Sequence, residues 1–234
     1  KGMVFSKDIN GTGQKSFFVY TFLQFFSVLN TLAPGDRCFY EVLRGAIHAY
    51  ADLELYRKEN PAACDNFEQT ERMFISSMLD FISASFNGLP KESVTVVVLD
   101  SSNSKKVSRH YVFRLPGAMF ADNLQVGAFM RCFEIYVRSL PTFQENLWYF
   151  TFPGGVLGFL LDMVVYTRNR NFRTPASTKF GAARPLLLVA PEQHQGFSLE
   201  ALRLGSLLWP DACPSGSDVL TLVRCKEPGG FEDA

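Results

Sequence analysis

Nine residues, Ala46-Ile-His-Ala-Tyr-Ala-Asp-Leu-Glu54, carry the first sign of chemistry. Successive side chains of a strand point to opposite faces. Read that way, the stretch puts Ile47, Ala49, Ala51 and Leu53 on one face and His48, Tyr50, Asp52 and Glu54 on the other. Asp52 and Glu54 then stand roughly 7 Å apart at the end of an anchored strand. Two hard oxygen donors held like this suit Mg²⁺ or Mn²⁺, although a solvated acidic pair at a strand end would look the same. A third acid, Asp162, lies inside Leu157-Gly-Phe-Leu-Leu-Asp-Met-Val-Val165. An unpaired carboxylate in such surroundings needs a cation, a proton or strong donors. A metal shared with Asp52 and Glu54 would satisfy all three acids; an ion pair with one of the arginines that follow Asp162 is the alternative.

Phosphate chemistry is suggested elsewhere. Ser108-Arg-His110 places a hydroxyl and an imidazole on one strand face with Val112 and Arg114. Side chains at i and i+2 point the same way without touching, and no nucleophile elbow surrounds them, so a hydrolase is a poor reading. Beside Lys106 they suit phosphate oxygens, with a polar edge strand as the plain alternative. The net charge is zero, yet Met163 to Pro191 contains no Asp or Glu and holds Arg168, Arg170, Arg173, Lys179 and Arg184. Lys105, Lys106, Arg109 and Arg114 form a smaller basic group. Local basic patches on a neutral chain point to a phosphate site more than to general adhesion to nucleic acid. Gly11-Thr-Gly-Gln-Lys-Ser16 is not a P-loop, because Gln14 separates glycine from Lys15-Ser16 and a strand-like Phe17-Phe-Val-Tyr20 follows where a helix should start.

The elements that must position these groups follow from period and punctuation. Met3 to Ser6 and Ser16 to Tyr20 read as strands around a turn-rich connection. Thr21 caps a short helix to Asn30, and Arg37 to Leu43 leads into the acidic strand. Asp65 or Asn66 caps a long amphipathic helix to about Phe86, stopped by Asn87-Gly88. Val94 to Leu99 is a β-branched strand, joined by Asp100-Ser-Ser-Asn-Ser-Lys to a strand over Val107 to Leu115. A second helix runs from about Asn123 to Ser139, and Pro141 to Gly155 is a packed aromatic loop. Leu157 to Val165 is predicted as a strand, followed by strands near Leu186 to Val189 and Val219 to Arg224 and a helix over Ser198 to Leu208. The irregular alternation predicts an α/β domain with mixed sheets and no internal repeat.

At 234 residues and 47% hydrophobic, the chain can bury a sizeable core. No run approaches the roughly 18 apolar residues of a membrane span. The first residue is Lys and no signal peptide is visible, so the sequence reads as a trimmed fragment. Its five cysteines are scattered, without zinc spacing, and read as reduced core thiols of an intracellular protein.

Asp52-Leu-Glu54, Leu99-Asp-Ser-Ser102, Lys106-Val-Ser-Arg-His110, and Asp162 with Val165-Tyr-Thr-Arg-Asn-Arg-Asn-Phe-Arg173 closely resemble the eukaryotic primase-polymerase (PrimPol) family of the archaeo-eukaryotic primase superfamily. The match keeps the family's motif order from about Val4 to Val189. The resemblance implies a single catalytic core over residues 1–234, with two packed lobes and mixed sheets around an acidic metal site. It implies that Asp52, Glu54 and Asp162 bind two divalent cations, Mn²⁺ or Mg²⁺. Ser108 and His110 would take the incoming triphosphate with help from Lys106, Arg173 and Lys179. Arg109, Arg170 and Asn171 would belong to the same nucleotide site, Tyr40 would lie near the nucleotide sugar, and Lys15 would face the template. The implied partners are a DNA template-primer and a dNTP or NTP, with no membrane, in a monomer acting in nucleus or mitochondrion during damage-tolerant replication.

The departures from the family pattern also matter. No zinc-binding module is present in this chain, so extension is expected and priming is not; contacts with a single-stranded-DNA-binding protein would fall to regions outside it. Lys15 stands where an arginine is expected, the spacing from Tyr40 to Asp52 is short, and the segment before Asp162 is compact. A two-metal nuclease would want the same acids but has no use for a triphosphate cradle. An inactive nucleic-acid-binding relative is the remaining alternative.

Overall fold

The computed structural model describes residues 2–86, 89–189, 198–208, 221–225 and 231–233. In chain order these form β1 (Met3–Asp8), β2 (Lys15–Tyr20), α1 (Phe22–Thr31), β3 (Phe39–Val42), β4 (Ala49–Tyr56), α2 (Pro61–Asp65), α3 (Phe67–Ser85), β5 (Thr95–Asp100), β6 (Lys106–Arg114), β7 (Ala118–Phe120) and α4 (Asn123–Ser139). They continue as α5 (Glu145–Trp148), β8 (Tyr149–Phe152), β9 (Val156–Phe159), a 3₁₀ turn over Met163–Tyr166, β10 (Asn171–Arg173), β11 (Leu187–Leu188), α6 (Leu199–Gly205), β12 (Thr221–Cys225) and β13 (Phe231–Asp233). The fold is mixed α/β, as the alternation of strands and helices predicts. No helix of the described residues is long and apolar enough to cross a membrane.

Two sheets matter for the site. One runs β10-β3-β1-β2 and the other β11-β5-β6-β4, with antiparallel pairing throughout. The alternation of β4 is realised: Ala49, Ala51, Leu53 and Leu55 are buried among core residues, while Asp52 and Glu54 reach partial exposure. On the core side, α3 buries Phe67, Phe74, Met78, Phe81 and Ile82. Each such side chain contributes about 1.5–3 kcal/mol when fully buried, enough to fix the sheet on the helices. A smaller cluster of Phe5, Phe22, Phe25, Leu29, Phe39 and Leu202 packs α1 and α6 against the first sheet. Thr21 closes a full capping box with Gln24, and Asp122 caps α4 through the amides of Leu124 and Gln125.

Two predicted elements come out differently. The aromatic loop is half structured: Tyr149-Phe-Thr-Phe152 has strand alternation and pairs with β9 as a hairpin. The strand predicted over Leu157 to Val165 stops at Phe159, apart from a bridge between Leu161 and Leu53. Asp162 ends it, because its carboxylate accepts the amide hydrogen of Val164 and so caps the 3₁₀ turn. The stop at Asn87-Gly88 and the start of the last predicted strand, at Val219 and Leu220, lie outside the described residues.

Candidate active site

Asp52 and Glu54 share one face of β4, and Asp162 caps the 3₁₀ turn beside it. Asp52 pairs across the ladder with His110 and Glu54 with Ser108. Asp162 reaches them through the main chain, its amide donating to the carbonyl of Asp52 at 2.9 Å. Among the described residues no arginine forms an ion pair with Asp162. Glu54 is held by Lys106 and also accepts from the Tyr56 hydroxyl at 3.2 Å. As they stand, no three His, Cys, Asp or Glu side chains of the described residues converge as a metal-holding group.

The donor set nonetheless fits a cation. Asp52 Oδ1 is buried without a hydrogen-bond partner. Burial first, then the charges of Glu54 and Asp162, push the Asp52 carboxyl up to about 7. Arg173 and Lys179 pull the other way without offsetting this, so Asp52 remains short of countercharge.

Beside the acids the sign reverses. Ser101, Lys106, Ser108, Arg173, Lys179, Ala182 and Arg184 line a cavity of about 80 Å³. Arg173 donates to Ser101 Oγ at 2.7 Å, and Ser101 Oγ to Ser108 Oγ at 3.2 Å, a chain that joins the two sheets. Arg173 Nε remains buried and unpartnered. Lys179 is exposed overall, but desolvation around its ammonium and the charge of Lys106 both lower its pKa. His110 Nε2 stands 3.6 Å from Asp52 Oδ2, beyond hydrogen-bond reach. Burial, then Arg173, Lys179 and Lys106, hold the imidazole neutral, and its Nδ1 has no partner. Phe172 packs against His110 with ring centres 4.4 Å apart and against Tyr50 at 4.7 Å. Thus β10 forms the seam on which both sheets meet the site.

Tyr40 is the cross-strand neighbour of Arg173. Its hydroxyl donates to Asp8 at 2.8 Å, and Lys15 both pairs with Asp8 at 2.5 Å and sits 3.8 Å from the Tyr40 ring centre. Burial and this bond raise the phenol's pKa strongly. Lys15 is therefore tied to the tyrosine as well as placed on the hairpin. Asn171 lies on β10 opposite Val42. Arg170 is exposed, donates to Thr167 Oγ1 at 2.7 Å and is not among the residues lining the cavity.

Arg109 requires a correction. It points away from Ser108 and His110, as strand alternation demands, and pairs with Asp100 and with Glu71 of α3 while lying over the Phe67 ring. It belongs to the packing of α3 and not to the cavity. Ser101 and Arg184 were absent from the expected site set, although both fall in stretches already marked by composition, the turn after β5 and the acid-free basic run.

Comparison with known proteins bears on these motifs. No family model matches the chain. The DNA-directed primase/polymerase protein of Danio rerio is 28% identical over 211 residues, covering 76% of this chain and 39% of that relative. The protein of the same name from Homo sapiens is 27% identical over 125 residues, 52% of this chain and 21% of the relative. That from Gallus gallus is 32% identical over 97 residues, 39% and 16% respectively. The chain spans about two fifths of the Danio rerio relative's length and about one fifth of the Homo sapiens one. With a mixed α/β fold and with Asp52, Glu54, Ser108 and His110 on the strands expected for them, the chain is similar to these DNA-directed primase/polymerase proteins at 27–32% identity.

Proposed function

We propose that this chain adds nucleotides to a primer end on a DNA template, as the catalytic core of a primase-polymerase. The observation that carries the reading is the juxtaposition of two groups: Asp52 and Glu54 on β4 with Asp162 bonded to Asp52 through the main chain, and, across the β4–β6 ladder, a cavity lined by Lys106, Arg173, Lys179 and Arg184 and by no acid. Phosphoryl transfer asks for little beyond positioning and charge neutralisation. Arg173 and Lys179 offer fixed positive charge to a polyphosphate tail, and Lys106 turns from Glu54 to the same tail. Ser108 contributes a hydroxyl, and neutral His110 contributes a hydrogen bond without adding charge. Asp52, Glu54 and Asp162 would hold divalent cations, Mg²⁺ or Mn²⁺, which supply charge neutralisation for the triphosphate and a lowered pKa for the attacking primer hydroxyl. Tyr40, held by Asp8, offers a fixed ring next to Arg173 where a nucleotide sugar would lie. No protein general base is required. The substrate would place the protein at intracellular DNA, in nucleus or mitochondrion, and a part in lesion bypass and repriming would go with it.

A two-metal nuclease would use the acids and leave the cationic cavity without a role. Primer extension with Mg²⁺ and Mn²⁺ compared, alongside nucleotide protection against heat, separates the two. Templated extension that Asp52→Asn lowers by about a thousandfold or more, the scale of several kcal/mol of metal assistance, supports the polymerase. Degradation of DNA without nucleotide addition, or near-normal extension by a folded Asp52→Asn Glu54→Gln double variant, would refute it.

A further inference from the structure

The loop that follows β10 is closed on itself. The Ala176 amide donates to the Leu186 carbonyl and the Leu186 amide to the Ser177 carbonyl, the Thr178 amide donates to the Arg37 carbonyl, and the Thr178 hydroxyl reaches the Ala182 carbonyl at 2.6 Å. Gly181, at φ 72°, turns the tip in the left-handed region where a side chain would be strained. The turn brings both Lys179 and Arg184, five residues apart, to the lining of one cavity. Arg184 is exposed, and its Nη1 donates to the Ser101 carbonyl at 3.2 Å. That carbonyl belongs to the residue whose hydroxyl already joins Arg173 to Ser108.

The position is informative. Along β6 the residues facing the site are His110, Ser108 and Lys106, opposite Asp52, Glu54 and Tyr56 respectively. A polyphosphate whose reacting phosphorus lies at the acids must run its tail past Ser108 into the cavity, whose described lining contains Lys106, Arg173, Lys179 and Arg184 and no acid. At about 80 Å³ the cavity is far below the roughly 300 Å³ or more that a drug-sized ligand fills, so it admits a compact anion and no base or sugar.

We infer that Arg184 binds the terminal phosphate of a nucleoside 5′-triphosphate and makes the site read the length of the phosphate tail. The inference rests on the nucleotidyl-transfer reading and deepens it: the ligand class is the triphosphate, and the diphosphate and monophosphate fail to reach Arg184. The planar guanidinium, anchored through one nitrogen on a main-chain carbonyl, presents its remaining donors in a fork that suits phosphate oxygens.

The experiment measures calorimetric dissociation constants for dATP, dADP and dAMP, with Mg²⁺, on this chain and on its Arg184→Ala and Arg184→Lys variants, with template-primer affinity in parallel. Arg184→Ala weakens dATP by about 10- to 100-fold, the scale of a hydrogen bond between two charged groups. It leaves dADP, dAMP and template-primer unchanged, and Arg184→Lys falls between. Equal weakening of all three nucleotides would reduce Arg184 to a tether of the loop. Loss of template-primer affinity with nucleotide binding intact would make it a DNA contact. A chain that prefers dATP with or without Arg184 overturns this assignment alone, whereas a chain that binds none of the nucleotides overturns the nucleotidyl-transfer reading with it.

Discussion

Glu41 provides the sharpest test of the scaffold. It sits on β3, fully enclosed, and its carboxylate accepts from the Ser206 hydroxyl and, at 2.8 Å, from the Leu207 amide. Arg114, at the end of β6, spends Nη1 on the carbonyls of Arg203, Leu204 and Ser206. Through the segment after α6, these two side chains brace the first sheet against the second. Burial pushes the Glu41 carboxyl from its ordinary 4.5 up to about 7, against the opposing pull of Ser206, Leu207 and Arg114. A group whose pKa is raised by folding contributes stability that is fully present below its unfolded value and is lost as pH climbs through its folded value. Between pH 4.5 and about 7 the fold should weaken, and at about 1.4 kcal/mol per pH unit the effect is capped at about 3 kcal/mol. Glu41→Gln keeps an acceptor for the Leu207 amide, and Ser206 can turn its hydroxyl to accept from the new amide. The measurement is urea denaturation of both proteins at pH 5, 6.5 and 8.5. The variant should match the parent at the lowest pH and exceed it by about 2–3 kcal/mol at the highest. A difference between parent and variant that stays constant from pH 5 to 8.5 would show that Arg114 and the Ser206 and Leu207 donors keep Glu41 ionised throughout, and would refute the reasoning.

Other predictions concern packing and DNA. Arg109→Ala removes the pairs to Asp100 and Glu71 and should destabilise the fold by about 1–2 kcal/mol, with nucleotide affinity unchanged; a selective loss of nucleotide binding would return Arg109 to the site. Gly127→Ala places a Cβ at 2.6 Å from Tyr166 Cβ, and such overpacking should cost about 1–3 kcal/mol in a urea melt. Activity should fall with it, because the Tyr166 hydroxyl donates to the Tyr50 carbonyl, two residues before Asp52. With zero net charge and its cations gathered at the site, the chain should hold primer-template weakly, with a modest salt slope of about 0.9 per phosphate contact on duplex DNA. Under a single-encounter trap it should add a few nucleotides before release; products of hundreds of nucleotides would reveal a DNA-holding surface elsewhere.

The strands that carry the acids and the Ser108/His110 pair were legible because two-residue alternation is a local signal. So were the helix starts at Thr21 and after Asp122, where a side-chain oxygen meets the first free amides. The same alternation sets Arg109 on the opposite face of β6 from Ser108 and His110, where it meets Glu71 of α3. Asp162 was harder. Its apolar flanks imitate a strand, and only the cap to Val164, fixed by the approach of Asp52, makes a turn of it. The bond from Tyr40 to Asp8, and the reach of Arg184 to Ser101, join residues 32 and 83 positions apart. No local pattern carries such pairings.

The main-chain bond between Asp162 and Asp52 also bears on how the protein is made. The acid cluster has no local precursor: 110 residues separate its two halves, and they meet only when Leu161 bridges Leu53 and the Asp162 amide finds the Asp52 carbonyl. Contacts of such separation must first overcome loop-closure entropy, and they form after local helices and hairpins. On the ribosome β4 waits, with β6 paired beside it, until residue 162 has emerged. The chain therefore acquires its hairpins and helices before its chemistry, and a fragment ending before Asp162 would carry most of the scaffold without a complete acid set.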